Sequence, residues 1–285
     1  TFMSLPKRKM NLAVLEKIMT LEFNEQRQRW KKINALTPQK LELAHRVLNE
    51  IREGQDVMSV LRRNPLEGGG YLNKAALVAA YNEMVATGTI EPDVPLLERI
   101  RMKPMRTLSG VTTVTVLTKP YPCPGKCIFC PSDVRMPKSY LPDEPGAMRA
   151  LEHQFDPYTQ VESRIRALKN LGHPTEKIEL LILGGTWSSY KRDYQEWFVK
   201  RCFDAMNEIN EEKYKLEQQE KSNNPDVELK KAQTINETSA HRNVGLVIET
   251  RPDEINPDEI KWLRHLGVTK VQLGAQSFDD HILDI

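Results

Sequence analysis

Apolar positions change their spacing along the chain, from a helical period in the first third to short, nearly continuous runs afterwards. Residues 1–95 follow the helical pattern, and Thr37 and Pro38 form a cap and a first turn for the helix Gln39–Glu53. Beyond this region, runs rich in apolar and β-branched residues alternate with helical segments. These runs predict strands at Val111–Leu117, Ile178–Leu183, Val244–Glu249 and Lys270–Gln276.

Alternation of strands and helices predicts a parallel sheet, so the fold class is α/β. The strand Ile178–Leu183 is almost entirely apolar, which is typical of a strand buried on both faces. In α/β barrels the active site is built from the C-terminal ends of the strands. We therefore expect residues 96–285 to form part of a barrel of this type, preceded by the helical region 1–95. The charged segment 207–243 has few apolar positions and predicts an exposed helical insertion or a mobile connection.

The charge distribution adds a candidate partner. Residues 1–106 carry 18 Lys+Arg against 12 Asp+Glu, although the net charge of the whole chain is only +2. Basic residues spread over helices suit a polyanion such as RNA, and a solvated helix face is the alternative interpretation. The candidate RNA-binding residues are Lys7, Arg8, Lys9, Arg27, Lys31 and Lys32.

Composition also limits the class of protein. No apolar run approaches the roughly 20 residues that a membrane span requires, so no membrane partner is expected. The segment 1–10 lacks the apolar core of a secretory signal. Four cysteines in 285 residues are typical of a reducing compartment, and we expect a cytoplasmic location in which clustered thiols bind metal.

Three of the four cysteines, Cys123, Cys127 and Cys130, follow the first predicted strand with the spacing C-x3-C-x2-C. Thiolates are the usual ligands of iron–sulfur clusters, and three of them leave one iron of a 4Fe-4S cluster without a protein ligand. A zinc site is the main alternative, but it needs a fourth ligand, and His153 and Cys202 are the nearest candidates. Cys202 has apolar neighbours and is expected to be a buried small hydrophobic residue.

This spacing, with an aromatic residue before the last cysteine and Gly184-Gly185-Thr186 after the next strand, resembles radical S-adenosylmethionine enzymes. Longer strings narrow the resemblance to the catalytic subunit of Elongator, in its prokaryotic single-protein form. The match extends from about residue 111 to the end of the chain, and the basic helical region is also similar. The strings are Tyr121–Pro131, Ser139–Ala150, Asp156–Tyr158, Leu171–His173, Leu183–Trp187, Ile248–Asp253 and Leu273–Ser277.

The resemblance implies a tRNA-modifying acyltransferase. Such an enzyme converts the wobble uridine in the anticodon stem-loop to 5-carboxymethyluridine, using acetyl-CoA and S-adenosylmethionine. It further implies that a 5′-deoxyadenosyl radical takes hydrogen from the acetyl methyl group, that the carbon radical adds to C5 of uracil, and that thioester hydrolysis follows. The target base must leave its stack to reach the pocket.

Residue roles follow from the same resemblance. Cys123, Cys127 and Cys130 would carry the cluster, and Lys177 would contact acetyl-CoA. Contacts to S-adenosylmethionine would come from Gly184, Gly185, Thr186, Glu249 and Gln276. Gln272 and Gln276 are expected on one face of the last predicted strand. Lys138, Tyr140 and Arg149 are candidates for lining the pocket.

The family continues with further barrel strands and an acetyltransferase-like C-terminal domain, neither of which this sequence contains. We therefore expect the 285 residues alone to be inactive. An alternative from another functional class is an RNA-binding or assembly module with a structural iron–sulfur cluster. The sequence leaves open whether the chain forms a homodimer.

Overall fold

The computed structural model describes residues 37–125, 127–128, 130–131, 133–207 and 225–283. The described residues fall into two compact units, divided between Ile100 and Arg101. The six candidate RNA-binding residues, from Lys7 to Lys32, lie outside the described residues. Within the described part, no helix has both the length and the apolar composition needed to cross a membrane.

The described helices and strands follow the order that the apolar pattern predicts. The helices are α1 Pro38–Arg52, α2 Val57–Arg63, α3 Lys74–Ala86, α4 Val94–Ile100, α5 Pro145–Glu152, α6 Pro157–Lys169, α7 Arg192–Met206, α8 Pro225–Asn236, α9 Pro257–His265 and α10 Asp280–Leu283. The strands are β1 Thr112–Leu117, β2 Lys177–Leu183, β3 Arg242–Thr250 and β4 Lys270–Leu273. Short 3₁₀ turns occur at Pro104–Thr107, Trp187–Ser189 and Pro252–Glu254.

In the first unit, α1 to α4 pack around an apolar core. The Thr37 side chain caps α1 by accepting a hydrogen bond from the Lys40 amide, and Pro38 occupies the first turn, as predicted. The fully buried residues Val47, Ile51 and Leu77 lie in this core. Burial of such side chains, rather than intrinsic helix propensity, supplies most of the stability of short helices.

In the second unit, the four described strands form one parallel sheet in the order β1-β2-β3-β4. This confirms the α/β class with a parallel sheet. Because all four strands run in the same direction, their carboxyl ends lie at one edge of the sheet. Within the described residues the sheet is open, with β1 and β4 as its outer strands.

The two faces of the sheet differ in burial. On one face, Leu180 and Ile182 of β2 are fully buried and share a core with residues of α6 and α7. On the other face, Glu179, Leu181 and Leu183 remain half-buried. The expectation that β2 is buried on both faces was therefore wrong for the described residues of this strand.

The charged segment 207–243 is also less exposed than its composition suggests. Its described part contains α8, which packs against α7 and places Leu229 and Ala232 in the main core. Asn236 of α8 is buried too, and its amide donates to the side-chain oxygen of Asn207 and to the backbone carbonyl of His241. Two apolar positions suffice here because Leu229, Ala232 and the buried Asn236 fall on one face of the helix, while Val227 and Ile235 are exposed.

Candidate functional site at the carboxyl edge of the sheet

The cysteine loop follows β1 at the carboxyl edge of the sheet. All three loop cysteines are free thiols of intermediate exposure. Each sulfur contacts a side chain from a different segment, so the loop is connected to the residues that follow β2 and β3. The strand ends and the loop thus form one candidate site, as parallel strand topology leads us to expect.

Cys123 contacts the turn after β2, where its Sγ lies 3.2 Å from Oγ1 of the buried Thr186. The preceding Gly184 has φ +139°, and a Cβ on this residue would lie 1.8 Å from Oγ1 of Thr118. A side chain is therefore excluded by both backbone conformation and space. The predicted site residues Gly184, Gly185 and Thr186 thus lie directly beside the first cysteine.

Cys127 faces the residues after β3. Its Sγ lies 3.7 Å from Nη1 of Arg251. The same guanidinium forms two hydrogen bonds with Asp253, from Nε at 2.8 Å and from Nη2 at 2.5 Å. The bond to Asp253 raises the pKa of Arg251 and lowers the pKa of Asp253, so both stay charged. A fixed cation therefore lies beside the central cysteine.

The third sulfur, Cys130 Sγ, lies 3.3 Å from Oγ of Ser139, farther along the loop. Among the residues that the structure describes, no group of three or more His, Cys, Asp or Glu side chains is gathered closely enough to hold a metal ion. The metal role of the three cysteines therefore remains a prediction. Three unpaired thiols with hydroxyl and guanidinium neighbours nevertheless fit, by donor chemistry, a cluster ligated by thiolates.

A carboxylate lies on the open face of the sheet near the same edge. Glu249 of β3 accepts a hydrogen bond of 2.8 Å from the hydroxyl of Tyr140. Burial, followed by the charge of Glu249, raises the pKa of Tyr140, so this hydroxyl remains a donor. Glu249 is also in register with Gln272 of β4. Residues paired in this way lie on the same face, so Gln272 is close to the predicted cofactor-binding carboxylate.

The ends of β1 and β2 are joined by a buried tyrosine. The Tyr190 hydroxyl lies 2.7 Å from Oγ1 of Thr118, and it is within hydrogen-bond distance of the carbonyls of Lys119 and Gly184. Burial raises the pKa of Tyr190 to about 12. The ring stacks on Tyr121, two residues before the first cysteine, with centroids 4.8 Å apart. This contact supports the beginning of the cysteine loop.

Two predicted positions are not brought to this site. The strand β4 ends at Leu273, and Gln276 is exposed with φ +64°, so it does not share a strand face with Gln272. The expected pairing of the two glutamines was wrong because the chain turns after Leu273. Lys177 is the first residue of β2 and is exposed at the opposite end of the strand, about 20 Å from Leu183 at 3.3 Å per residue.

The alternative zinc ligands are occupied elsewhere. His153 forms a hydrogen bond of 2.9 Å between its Nε2 and Oγ of Ser163. Cys202 is fully buried in the core of the second unit, and burial raises the pKa of its thiol. This confirms the expectation that Cys202 is a small core residue.

Sequence reasoning missed three residues of the site. Arg251 lies in the matched string Ile248–Asp253, but its position along the sequence gives no reason to place it beside Cys127. Tyr190 and Ser139 likewise reach the site only through folding. The sequence did contain one signal for Arg251. The residue follows a strand end, where site residues are expected, and the carboxylate of Asp253, two residues later, can bind its guanidinium.

Fold and site together define an α/β protein with a three-cysteine loop across the carboxyl ends of a parallel sheet. No family model matches the chain. The chain is, however, homologous over its matched part to proteins named tRNA uridine(34) acetyltransferase and Elongator complex protein 3. This confirms the resemblance that the sequence strings indicate.

The homologues match only part of their own length. A tRNA uridine(34) acetyltransferase of Methanocaldococcus infernus is 46% identical over 210 residues, which are 72% of this chain and 36% of that protein. One of Dehalococcoides mccartyi is 46% identical over 177 residues, 62% of this chain and 35% of that protein. Elongator complex protein 3 of Saccharomyces cerevisiae is 31% identical over 198 residues, 66% of this chain and 33% of that protein. The chain therefore spans about a third of these relatives.

Among solved structures, the chain is similar to the archaeal Methanocaldococcus infernus Elp3 with an N-terminal deletion. The two are 39% identical, and the match covers 61% of this chain and 31% of the other. The TM-score is 0.44, which is too low to establish a shared overall fold.

Proposed function

We propose that this chain is the radical S-adenosylmethionine part of an enzyme that modifies the wobble uridine of tRNA with an acetyl-CoA-derived group. The observation that carries the proposal is the position of the three cysteines. Cys123 lies beside a residue that follows β2, Cys127 lies beside one that follows β3, and Cys130 lies beside a residue farther along the same loop. Homology to tRNA uridine(34) acetyltransferases supports the substrate and the transferase class. The partial barrel, cytoplasmic location and homodimer remain predictions from the sequence.

In this proposal Cys123, Cys127 and Cys130 hold a 4Fe-4S cluster. When bound, the cluster supplies the electron that cleaves the sulfonium of S-adenosylmethionine. Arg251 provides a positive charge beside Cys127, which suits the excess negative charge of thiolate ligands. The Thr186 hydroxyl can donate to Cys123, since threonine has one donor and the thiolate accepts.

The open face of the sheet would bind the cofactor. Thr118 fills the space beside Gly184, so in this proposal the ligand approaches the backbone at Gly185, where a Cβ would make only ordinary contacts with Lys138. Tyr140 orients the Glu249 carboxylate, and this carboxylate could accept hydrogen bonds from ribose hydroxyls or from an amino group. A contact between Lys177 and acetyl-CoA would place that co-substrate at the amino end of β2, about 20 Å from the site.

The first experiment tests the cluster. The chain is reconstituted anaerobically with iron and sulfide, and bound iron and visible absorbance are measured for wild type, Cys127→Ala and Cys202→Ala. We expect about four iron atoms per chain in wild type and Cys202→Ala, and a large loss in Cys127→Ala. Absence of iron from the wild type would contradict the proposal.

The second experiment tests the reaction. A chimera carries this chain in place of the matched region of the Methanocaldococcus infernus relative, since the chain spans only a third of that protein. We expect 5′-deoxyadenosine formation and modified wobble uridine in tRNA, both lost in Cys127→Ala. Iron without 5′-deoxyadenosine would favour the structural-cluster module, and 5′-deoxyadenosine without modified uridine would assign another substrate.

A further inference from the structure

The cysteine loop contains a glycine whose missing side chain makes room for an arginine. A Cβ at Gly125 would lie 1.8 Å from Nη1 and 3.0 Å from Cζ of Arg251, and 3.5 Å from Sγ of Cys123. Gly125 does not have a positive φ, so space rather than backbone conformation requires glycine here. The guanidinium of Arg251 therefore occupies the place where any other residue at position 125 would put its side chain.

This position brings one guanidinium close to two of the three cysteines. Nη1 of Arg251 lies 3.7 Å from Sγ of Cys127. The backbone amide of Gly125, which the same nitrogen lies against, donates a hydrogen bond of 3.4 Å to Sγ of Cys123. A single positive charge is therefore placed beside two prospective cluster ligands.

The guanidinium is held at this place by its own carboxylate. Nε and Nη2 of Arg251 donate to the two oxygens of Asp253 at 2.8 and 2.5 Å, and Nη1 is left to face Cys127. A planar guanidinium bound through two donors has a fixed orientation. The Asp253 side chain is 58% exposed and that of Arg251 is 30% exposed, so solvent screens the carboxylate more than the guanidinium. The net charge that acts on the two sulfurs is therefore positive.

A fixed cation beside thiolate ligands affects the transfer of an electron. Reduction of a 4Fe-4S cluster takes one electron from an external donor, forms and breaks no bond, and adds one negative charge. A positive charge nearby favours the form with more negative charge. Net charge and contacts to the sulfurs are among the factors that set the reduction potential of such clusters.

We propose that Arg251, held by Asp253 and admitted by Gly125, raises the reduction potential of the cluster that the three cysteines hold. Asp253 is a positioning residue in this arrangement, because it acts through Arg251. The inference rests on the proposed function only for the presence of the cluster. It does not depend on the identity of the substrate or on the acetyl group.

The test is a redox titration of the anaerobically reconstituted chain, with dithionite as electron donor and the cluster followed by its visible absorbance. Arg251→Gln removes the charge, and Arg251→Lys keeps the charge but lacks the paired donors for Asp253. Arg166→Gln is the control, because it removes the same charge from α6, where Arg166 pairs with Glu162. At a fixed potential, we expect the ratio of reduced to oxidised cluster to fall about tenfold in Arg251→Gln, equal to about 59 mV for one electron. The fall should be smaller in Arg251→Lys and absent in Arg166→Gln.

The role of Asp253 is tested by the sign of a shift. Asp253→Ala removes a negative charge, which by itself would make reduction easier. It also removes the group that holds Arg251, which would make reduction harder. We expect the potential to fall toward that of Arg251→Gln, and a rise would overturn the positioning role. Bound iron is measured for each variant, and if Arg251→Gln loses the cluster, Arg251→Lys and Asp253→Ala decide the question.

The contact at Gly125 is tested by a double-mutant cycle. Gly125→Ala should displace the guanidinium and lower the potential, and it should add nothing when Arg251→Gln is already present. The cycle is repeated without iron by denaturant unfolding. Gly125→Ala should raise the unfolding constant by a factor at least about three times larger in wild type than in Arg251→Gln. No coupling in either measurement would overturn the contact, whether or not the chain binds iron.

Failure of this inference and failure of the proposed function give different results. Iron in the wild type with the same potential in wild type and Arg251→Gln overturns the role of Arg251 but not the cluster. Equal falls in Arg251→Gln and Arg166→Gln also overturn it, because the effect would then be one of general charge. If iron is bound but wobble uridine is not modified, the potentials still decide this inference. A wild type without iron contradicts both proposals.

Discussion

The ends of β2 and β4 both follow parallel strands and both carry predicted cofactor-binding residues, but they are held differently. The turn after β2 lies between β1 and β3, and Thr118 and Tyr190 contact its carbonyl groups. The strand β4 pairs with β3 alone among the described strands and is exposed throughout. The difference shows that a strand-end residue is held at the site when its strand has neighbouring strands on both sides. The local sequence around the residue matters less.

The largest effect is expected when the glycine that follows each strand, Gly184 after β2 and Gly274 after β4, is replaced by alanine. Gly184→Ala should destabilise the second unit by about 4 kcal/mol, because φ +139° and the contact with Thr118 both exclude a Cβ. Gly274→Ala should cost less than about 1 kcal/mol, since its Cβ would meet only the mobile end of Gln276. The readout is tryptophan fluorescence during denaturation, since three of the four tryptophans, Trp187, Trp197 and Trp262, lie in this unit. Equal losses would remove the distinction between the two ends.

The same contrast should hold for apolar contacts. Leu180→Ala in β2 should cost about 3 kcal/mol, because Leu180 is 0% exposed and its loss leaves a cavity. Leu273→Ala in β4 removes the same atoms from a residue that is 49% exposed, so we expect a loss below about 1 kcal/mol. Denaturant midpoints at constant slope provide the measurement. A large loss at Leu273 would mean that β4 is covered.

The hydroxyl of Tyr190 gives a smaller and pH-dependent effect. Tyr190→Phe should destabilise by about 1–2 kcal/mol by removing the hydrogen bonds between the ends of β1 and β2. Because burial raises the pKa of Tyr190 to about 12 in the folded chain, above its ordinary value of about 10, the neutral form is favoured by folding. This stability is complete below pH 10 and is lost as the pH rises through 12.

The check is the difference in unfolding free energy between wild type and Tyr190→Phe, followed from pH 8 to 12. We expect the wild-type curve to fall more steeply above pH 10 than that of the variant. Tyr71→Phe is the control, because Tyr71 is 56% exposed and lies in the first unit. Parallel curves for wild type and Tyr190→Phe would show that this hydroxyl is not held in its neutral form.

The smallest expected effect is at Gln276. Gln276→Ala should change the unfolding free energy by less than about 0.5 kcal/mol. The residue is exposed, and within the described part of the chain its amide donates only to the carbonyl of Gly274, at 3.4 Å. The measurement is again denaturation followed by tryptophan fluorescence. A loss above about 1 kcal/mol would indicate that Gln276 packs on the same face as Gln272 after all.

Much of the local structure was predictable because its causes are local. The cap at Thr37, the helix after Asn73 and the apolar strand β2 depend on residues within a few positions of one another. The cysteine spacing is also local, and so are Gly184 and Gly185 after a strand. These patterns indicated the α/β class and one edge of the site before any tertiary contact was known.

The remaining site residues were not predictable in the same way. Arg251 reaches Cys127 across 124 positions of the chain, and Tyr140 reaches Glu249 across 109. The registers of β2 and β3 and the packing of the loop decide these contacts, and sequence spacing contains neither. The misplacement of Gln276 has a related cause, since a strand is extended only as far as its neighbour supplies hydrogen-bond partners.

The sequence by itself determined the three-cysteine motif, the alternation of strands and helices, and the resemblance that homology confirms. Only the tertiary structure decided that Arg251, Thr186 and Ser139 lie beside the thiols and that Lys177 lies at the far end of β2. The physical reason is that side-chain type and short-range pattern are written along the chain. Charge partners and burial arise only when distant segments pack together.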